Sequence, residues 1–425
     1  MVFFLLLFPF QIRSLVYFTP LYVTGGFDYY SSFFVYLGDV VFLSAFVLWG
    51  LSFLKKESDV KFNSGDSIIT FILMALFLVM VGNVFLVQEP QLQFFMIFRY
   101  LELFLVYLMI VNRVVRQDQV VVCLLAGLCF QALVAFYQYI LQGSIGLSFL
   151  GEPIANSATL GMAKIDVGSQ KILRSFGTFP HANVLGGLLF MGVMYGIALV
   201  KKFRWFVAAV VWLLVMGILF SFSRGAFFAL IAAFLLYISL QNNKLVIKYF
   251  MLALSVMVFF VVALKLESVI LSRLLFDDVG ATQERALYLK IGKDMIFDQP
   301  LGVGLGAFTL MMQDYTSVKL PPWLFQPVHN IFVLMLNETG ILGGVLFIAL
   351  FVYAFYMLLL LMRKQKSEDN RFAIALLLSM LVGIAVIGMF DHYFVTVYAA
   401  QIMLFIYFGF VSSLLSNARL PIKNS

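Results

Sequence analysis

The sequence predicts an all-α membrane protein: a polytopic transmembrane helical bundle of about twelve spans, with a partly helical large outer loop between the ninth and tenth. Three observations predict it. Of the 425 residues, 63% are apolar and only 12% charged, with a mean hydropathy of +1.03, whereas soluble domains are nearer half apolar and a quarter charged. Apolar runs of about 18 residues or more recur along the whole chain, each long enough to cross ~30 Å of hydrocarbon as a helix. The runs do not alternate apolar with polar residues, as barrel strands do, so helices are the structure that satisfies the backbone inside a bilayer.

The predicted spans are 2–20, 33–53, 68–88, 92–111, 119–141, 183–200, 205–221, 226–240, 248–265, 329–361, 372–390 and 394–415. The first lacks a basic start and an A-x-A cleavage site, so it reads as a retained span and not a signal peptide. The tenth is long enough to tilt or to extend beyond the bilayer. Neither an internal repeat nor a separate soluble domain is visible, and 1–425 reads as one integral membrane domain.

A net charge of +7 would point to nucleic acid in a soluble protein. Here basic loops that set topology explain it, and no nucleic-acid partner is expected. Lys55, Lys56, Lys61, Arg113, Arg116, Lys201, Lys202, Arg204, Lys244, Lys248, Arg363, Lys364, Lys366, Arg371, Arg419 and Lys423 all fall on one side when twelve spans alternate. That side is then cytoplasmic, both termini with it. The 49 Phe fit lipid-facing and packing positions. Cys123 and Cys129, on one helix about 9 Å apart along the axis, are too distant for a disulfide. Metal-ligand spacings, Walker, G-x-S-x-G and H-E-x-x-H patterns are missing, and no cofactor is expected.

The opposite side holds two long connections, 142–182 and 266–328, and long outer loops are commonly functional. Within the second, Ala281 to Phe297 reads as an amphipathic helix with Leu287, Ile291 and Met295 on one face and Arg285 and Lys293 elsewhere, able to lie on the membrane surface. Ionisable residues near hydrocarbon are costly, which makes those that remain functional candidates. Arg174 precedes the sixth span; Arg224 lies in the short turn SFSRGAFF; Arg285 is on the amphipathic helix; His329 opens the tenth span beside Asn330; Asp391 and His392 form the last outer turn.

Arginines gathered at one surface without balancing acids suit a phosphate-bearing headgroup, because the guanidinium fork stays charged and bonds phosphate bidentately. Any one of them taken alone reads more commonly as a snorkelling anchor. His329 fits a base acting on a sugar hydroxyl and an interfacial aromatic equally well. Glu338, deeper in the same span, reads first as a structural ion pair. Arg99 and Glu102, three apart, pair on one helix face, with Arg99 a second-rank site candidate. GVGLG at 302–306 reads as a flexible turn after Pro300, since it lacks the context of a phosphate loop.

Taken in order, RSFGTFPHANVLGGLL, SFSRGAFFAL, ERALYLKIGKDMIFDQPLGVGLGAF and HNIFVLMLNETGILGG resemble the O-antigen ligase and O-antigen polymerase superfamily of bacterial membrane glycan enzymes. The likeness covers roughly residues 170–350 and rests on the ordered set: an Arg with G-x-F-x-x-x-N ending at Asn183, S-R-G between spans, an Arg-led segment ending in a P-L-G-V-G element, and H-N leading to E-x-G-x-x-G. Tyr288 stands near the place where the family pattern usually has Trp.

The resemblance implies an inverting, metal-independent glycosyltransferase in the bacterial inner membrane. It would move a glycan from an undecaprenyl-diphosphate carrier to an acceptor hydroxyl on a glycan, lipid or protein, at the periplasmic or outer face. His329 would be the base, Arg224 and Arg285 would hold the diphosphate, and Arg174 would assist, with Asn183, Asn330, Glu338, Arg99, Asp391 and His392 as further substrate-binding candidates. Ligase, polymerase and protein O-oligosaccharyltransferase share such residues. A lipid-linked glycan flippase is the rival of another class; it predicts paired charges near the midplane and symmetric halves, whereas these charges crowd one surface. An inactive scaffold is a third reading.

Overall fold

The computed structural model of the chain describes residues 1–54, 62–159, 161–167, 170–241 and 279–419, with isolated positions between 244 and 261. It is a helical membrane protein. Ten of its described helices are apolar: six are long enough to cross a bilayer by length and composition, and four are shorter.

The expected first span is not one helix. Helix α1 (Val2–Leu7) stops before Pro9, whose ring removes a backbone donor. The chain then forms β1 (Arg13–Phe18), rich in the aromatic and β-branched residues that favour strands. It pairs antiparallel with β2 (Ser32–Tyr36), Arg13 opposite Tyr36. The predicted second span accordingly begins as a strand and becomes α2 (Leu37–Ser52) at Asp39, whose carboxylate accepts the Tyr36 N–H at 2.9 Å. A second hairpin, β3 (Lys164–Val167) and β4 (Gln170–Leu173), lies in the first long loop. The all-α expectation is thus corrected by two small hairpins. The N-terminal segment lacks the first of the twelve expected crossings.

The remaining spans follow prediction closely: α3 (Ser67–Asn83), α4 (Pro90–Val111), α5 (Gln117–Leu141), α6 (Ala182–Ala198), α7 (Arg204–Ser221) and α8 (Arg224–Leu240). The ninth, 248–265, lies mostly outside the described residues. Helix α9 (Val279–Asp298) is the expected loop helix. Its buried face is Tyr288, Ile291 and Met295, with Leu287 only partly covered. After α10 (Phe308–Met311) comes a second correction: the long tenth run is two helices, α11 (Ile331–Glu338) and α12 (Gly340–Lys364).

The break falls at Gly340, whose φ of +73° is left-handed and suits glycine alone without strain. Two carbonyls freed there, those of Asn337 and Glu338, accept the Val303 and Gly304 N–H groups at 2.9 and 3.0 Å, and Pro300 accepts from Ile341. Residues 300–304 therefore replace the missing helical bonds, and the expected flexible turn is instead bonded into the helix break. The chain closes with α13 (Glu368–Phe390), α14 (Tyr393–Thr396) and α15 (Tyr398–Arg419).

Helix α6 is the centre. Fifteen of its 17 residues are buried, the signature of a helix enclosed on all sides; it packs on α7, α8 and α13. Ion pairs tie the basic turns together at one end: Lys202 to Asp118 at 2.8 Å and Lys201 to Asp369. The other end of α6 holds His181, Asn183 and the candidate residues.

Candidate functional site

At that other end a cavity of about 240 Å³ is lined by Asn183, Ser223, Arg224, Gly225, Arg285 and Asp391, with Phe228, Ile387 and Phe390 among its apolar walls. Four separated sequence segments meet there, and the folding of each is local chemistry.

His181 caps α6, its Nδ1 accepting the Asn183 N–H at 3.1 Å. Asn183 uses both ends of its amide: Oδ1 accepts from Arg174 Nη2 at 2.5 Å, and Nδ2 donates to Asp391 Oδ2 at 2.7 Å. One turn further, Gly186 and Gly187 let neighbours close in. A Cβ on Gly186 would stand 2.7 Å from Ser223 Cβ, and one on Gly187 would overlap the Tyr393 hydroxyl. The glycine pair after Asn183 thereby brings the Ser223–Arg224 turn and the Asp391–Tyr393 turn against it.

Between α7 and α8 the chain turns through Phe222, held in the left-handed region at φ +46°. That is an uncommon conformation for a bulky residue. Ser223 then caps α8, its Oγ accepting from Ala226 N, so Arg224 and Gly225 are the first two helical residues. Their N–H groups have no acceptor within the helix. They border the cavity with the positive end of the helix dipole, a geometry suited to anions. Arg285 approaches from α9.

His329 is not among the residues that line this cavity; it feels the charge of Asp391 and Arg285, which do, and is held by rings. It stacks on Tyr288 with centroids 5.6 Å apart, and meets His392 edge-on at 5.0 Å. Burial lowers its pKa below the ordinary histidine value; Asp391 works against that and Arg285 with it. His392, fully enclosed, is pushed down to about 3 by burial and by His329, with Asp391 opposing; its Nδ1 lies 2.8 Å from Thr396 Oγ1. Burial works to raise the Asp391 pKa, but His392, His329, His181 and the Asn183 amide outweigh it and hold the carboxyl low. All three histidines of the chain thus act on Asp391. The outcome is a neutral imidazole within the influence of a charged carboxylate and of Arg285.

The other sequence candidates are placed differently. Arg174 is buried behind Asn183, its Nε donating to Ser221 O at 2.9 Å; it does not line the cavity. Asn330 caps α11, its Oδ1 accepting from Phe332 and Val333 N–H, and donates to Met389 O at 3.3 Å. Arg99 forms the expected pair with Glu102, and a second with Asp39 at 2.6 Å. It borders a separate small cavity of about 60 Å³, shared with Glu338. Glu338 is held by the backbone N–H groups of Gly306 and Phe308; the ion pair expected for it does not occur among the described residues.

Three supporting residues escaped the sequence reading. His181 lies within the RSFGTFPHAN motif, next to the residues that carry the resemblance. Gln131 and Gln138 of α5 are buried, and their side-chain oxygens take the N–H groups of Thr178 and of Phe176 and Gly177. They fix the segment that presents His181 and Asn183. Two glutamines seven apart in an apolar span were the available signal.

Fold and site together define a polytopic helical membrane protein with a basic, partly apolar cavity at one end of its bundle. The family model described as O-antigen ligase matches residues 209–348, about a third of the 425. It supports the O-antigen ligase superfamily for this chain and covers Arg224, Arg285 and His329. No curated protein matches the chain.

Proposed function

We propose that the protein is an inverting, metal-independent glycosyltransferase of the O-antigen ligase type. It transfers a glycan from undecaprenyl diphosphate to an acceptor hydroxyl at the outer face of the bacterial inner membrane. The observation that carries this is the shared cavity: Arg224, Arg285 and the N-terminus of α8 border it, and Asp391 links it to His329.

The diphosphate sits between the two guanidinium groups and the N–H groups of Arg224 and Gly225, its lipid against Phe228 and Phe390. His329 takes the acceptor proton as the hydroxyl oxygen attacks the anomeric carbon. The bond from that carbon to the diphosphate oxygen breaks, and the leaving negative charge stays between the arginines. Stabilising that charge is the main task, and a base of low pKa remains neutral and available at physiological pH. Arg174 and Asn183 hold Asp391 in place and need not touch substrate. The basic turns around Lys201, Lys202, Arg116 and Arg363 face the cytoplasm under the positive-inside rule, which puts the cavity at the outer face. The span number belongs to this same reading: about twelve.

The test is transfer from a labelled undecaprenyl-diphosphate glycan with EDTA present, comparing wild type with Arg224→Ala and Arg285→Ala. Transfer in wild type and a fall of about 10²-fold or more in each variant supports the reading. Undiminished transfer in both variants rejects it. Polymerase and protein-ligase activity differ only in the acceptor supplied.

A further inference from the structure

We propose that the smaller cavity, the one bordered by Arg99 and Glu338, binds a sugar ring of the acceptor. That the sugar belongs to the acceptor rests on the transferase reading; that the cavity binds a sugar rests on its own chemistry.

The N-terminal hairpin segment supplies the rings of Tyr30, Phe33 and Tyr36, and helices α4, α11 and α15 supply Arg99, Glu338 and Gln401. Glu338 is 5% exposed and Gln401 7%. A carboxylate has about four acceptor positions. Two backbone N–H groups, those of Gly306 and Phe308, approach the Glu338 carboxylate, and no cation pairs with it among the described residues. Gln401 spends its amide N–H on Val395 O at 2.7 Å. Its Oε1 takes no donor among the described residues, yet is not sealed off in the packing.

These are acceptors for hydroxyl groups, set among flat rings. A sugar offers hydroxyls that donate to carboxylate and amide oxygens, and C–H faces that lie on aromatic rings. A phosphate is disfavoured, because Arg99 is already spent on Asp39 at 2.6 Å and on Glu102, and Glu338 would repel it. Size agrees. The cavity of about 60 Å³ has room for roughly four to six waters, about the space of one sugar ring and too little for a lipid.

Position assigns the sugar to the acceptor. The segment from Asp391 to Thr396 runs from one cavity to the other: Asp391 and Tyr393 line the arginine cavity, Val395 and Thr396 this one. His392 stands on that segment, its ring 5.0 Å from His329 and 5.2 Å from Tyr30, edge-on to both. Its Nδ1 lies 2.8 Å from Thr396 Oγ1. A leaving group in one cavity and an acceptor in the other are thus held apart at the two ends of this segment. Displacement with inversion needs that separation, since nucleophile and leaving group lie on opposite faces of the anomeric carbon.

Saturation-transfer NMR on the purified full-length protein tests it. The probes are the methyl pyranosides of glucose, galactose, mannose and N-acetylglucosamine, with and without excess inorganic pyrophosphate to occupy the arginine cavity. Wild type should bind at least one probe, and pyrophosphate should not displace it. Glu338→Gln should weaken that binding about tenfold, and Gln401→Leu should weaken it as well. The two residues sit on different helices, so a folding defect in one variant leaves the other as the test. No binding of any probe, displacement by pyrophosphate, or unchanged affinity in both variants overturns the proposal. Sugar binding that is weakened in the variants, in a protein whose wild type transfers no glycan, keeps the sugar site and rejects the transferase reading instead.

Discussion

The imidazole of His329 lies flat on the phenol ring of Tyr288, 5.6 Å between centroids and 7° between planes. Tyr288 is one turn beyond Arg285 on α9, and its ring is buried. One helix thus supplies both an arginine to the cavity and the surface that aims the imidazole beside it.

That stacking predicts that shape matters at position 288 and the hydroxyl does not. Tyr288→Phe should transfer glycan at close to the wild-type rate. Tyr288→Ala should lose roughly 10–10²-fold in kcat, with little change in donor affinity, because a misaimed base costs rate and not binding. Steady-state kinetics on the two variants checks it.

The depressed His329 pKa predicts the position of the acid limb of kcat/KM. Burial lowers the pKa from 6.5 and Asp391 raises it, so the limb should fall below pH 6.5. Removing the carboxylate charge in Asp391→Asn removes the raising influence, and the limb should move to still lower pH. A limb that moves upward in this variant contradicts the assignment.

His392 predicts a pH-dependent stability. Its folded pKa is about 3, whereas in the unfolded chain it is near 6.5. Below about pH 6.5 the unfolded state binds a proton that the folded state refuses, so stability is complete above that pH and declines as pH drops toward 3. At about pH 5 the loss is ~2 kcal/mol. Thermal unfolding in detergent should decline over this range in wild type and less steeply in His392→Gln.

Arg99 is predicted to matter for folding. It is 6% exposed and sits between Asp39 and Glu102. Arg99→Ala leaves the buried Glu102 and the partly buried Asp39 without their counter-charge, a loss of about 3–5 kcal/mol. The variant should show a sharply lower melting temperature, whereas Arg224→Ala, at the cavity, should melt close to wild type.

Most membrane helices were legible because a long apolar run has few alternatives in a bilayer. Two failures share a cause. The 2–20 run and the 329–361 run are apolar throughout, and hydropathy does not register the Pro9 stop or the left-handed Gly340 that divide them. The role of PLGVG was equally hidden, since it lies in bonds to carbonyls of Asn337 and Glu338 more than thirty residues away. At the site, residue types indicated chemistry but not grouping. Arg224, Arg285, Asn183 and Asp391 meet because Gly186 and Gly187 admit their neighbours, while Arg99 and Glu338, as polar as the rest, are drawn into another cavity.

The most direct test separates donor binding from transfer in one variant. Purified His329→Ala and Arg224→Ala are each given labelled undecaprenyl-diphosphate glycan, and bound donor and transferred glycan are measured side by side. His329→Ala should bind donor as wild type does and transfer ~10²–10⁴-fold more slowly, whereas Arg224→Ala should lose donor binding as well. Wild-type transfer by His329→Ala, or wild-type donor binding by Arg224→Ala, would contradict a single site built from these two residues.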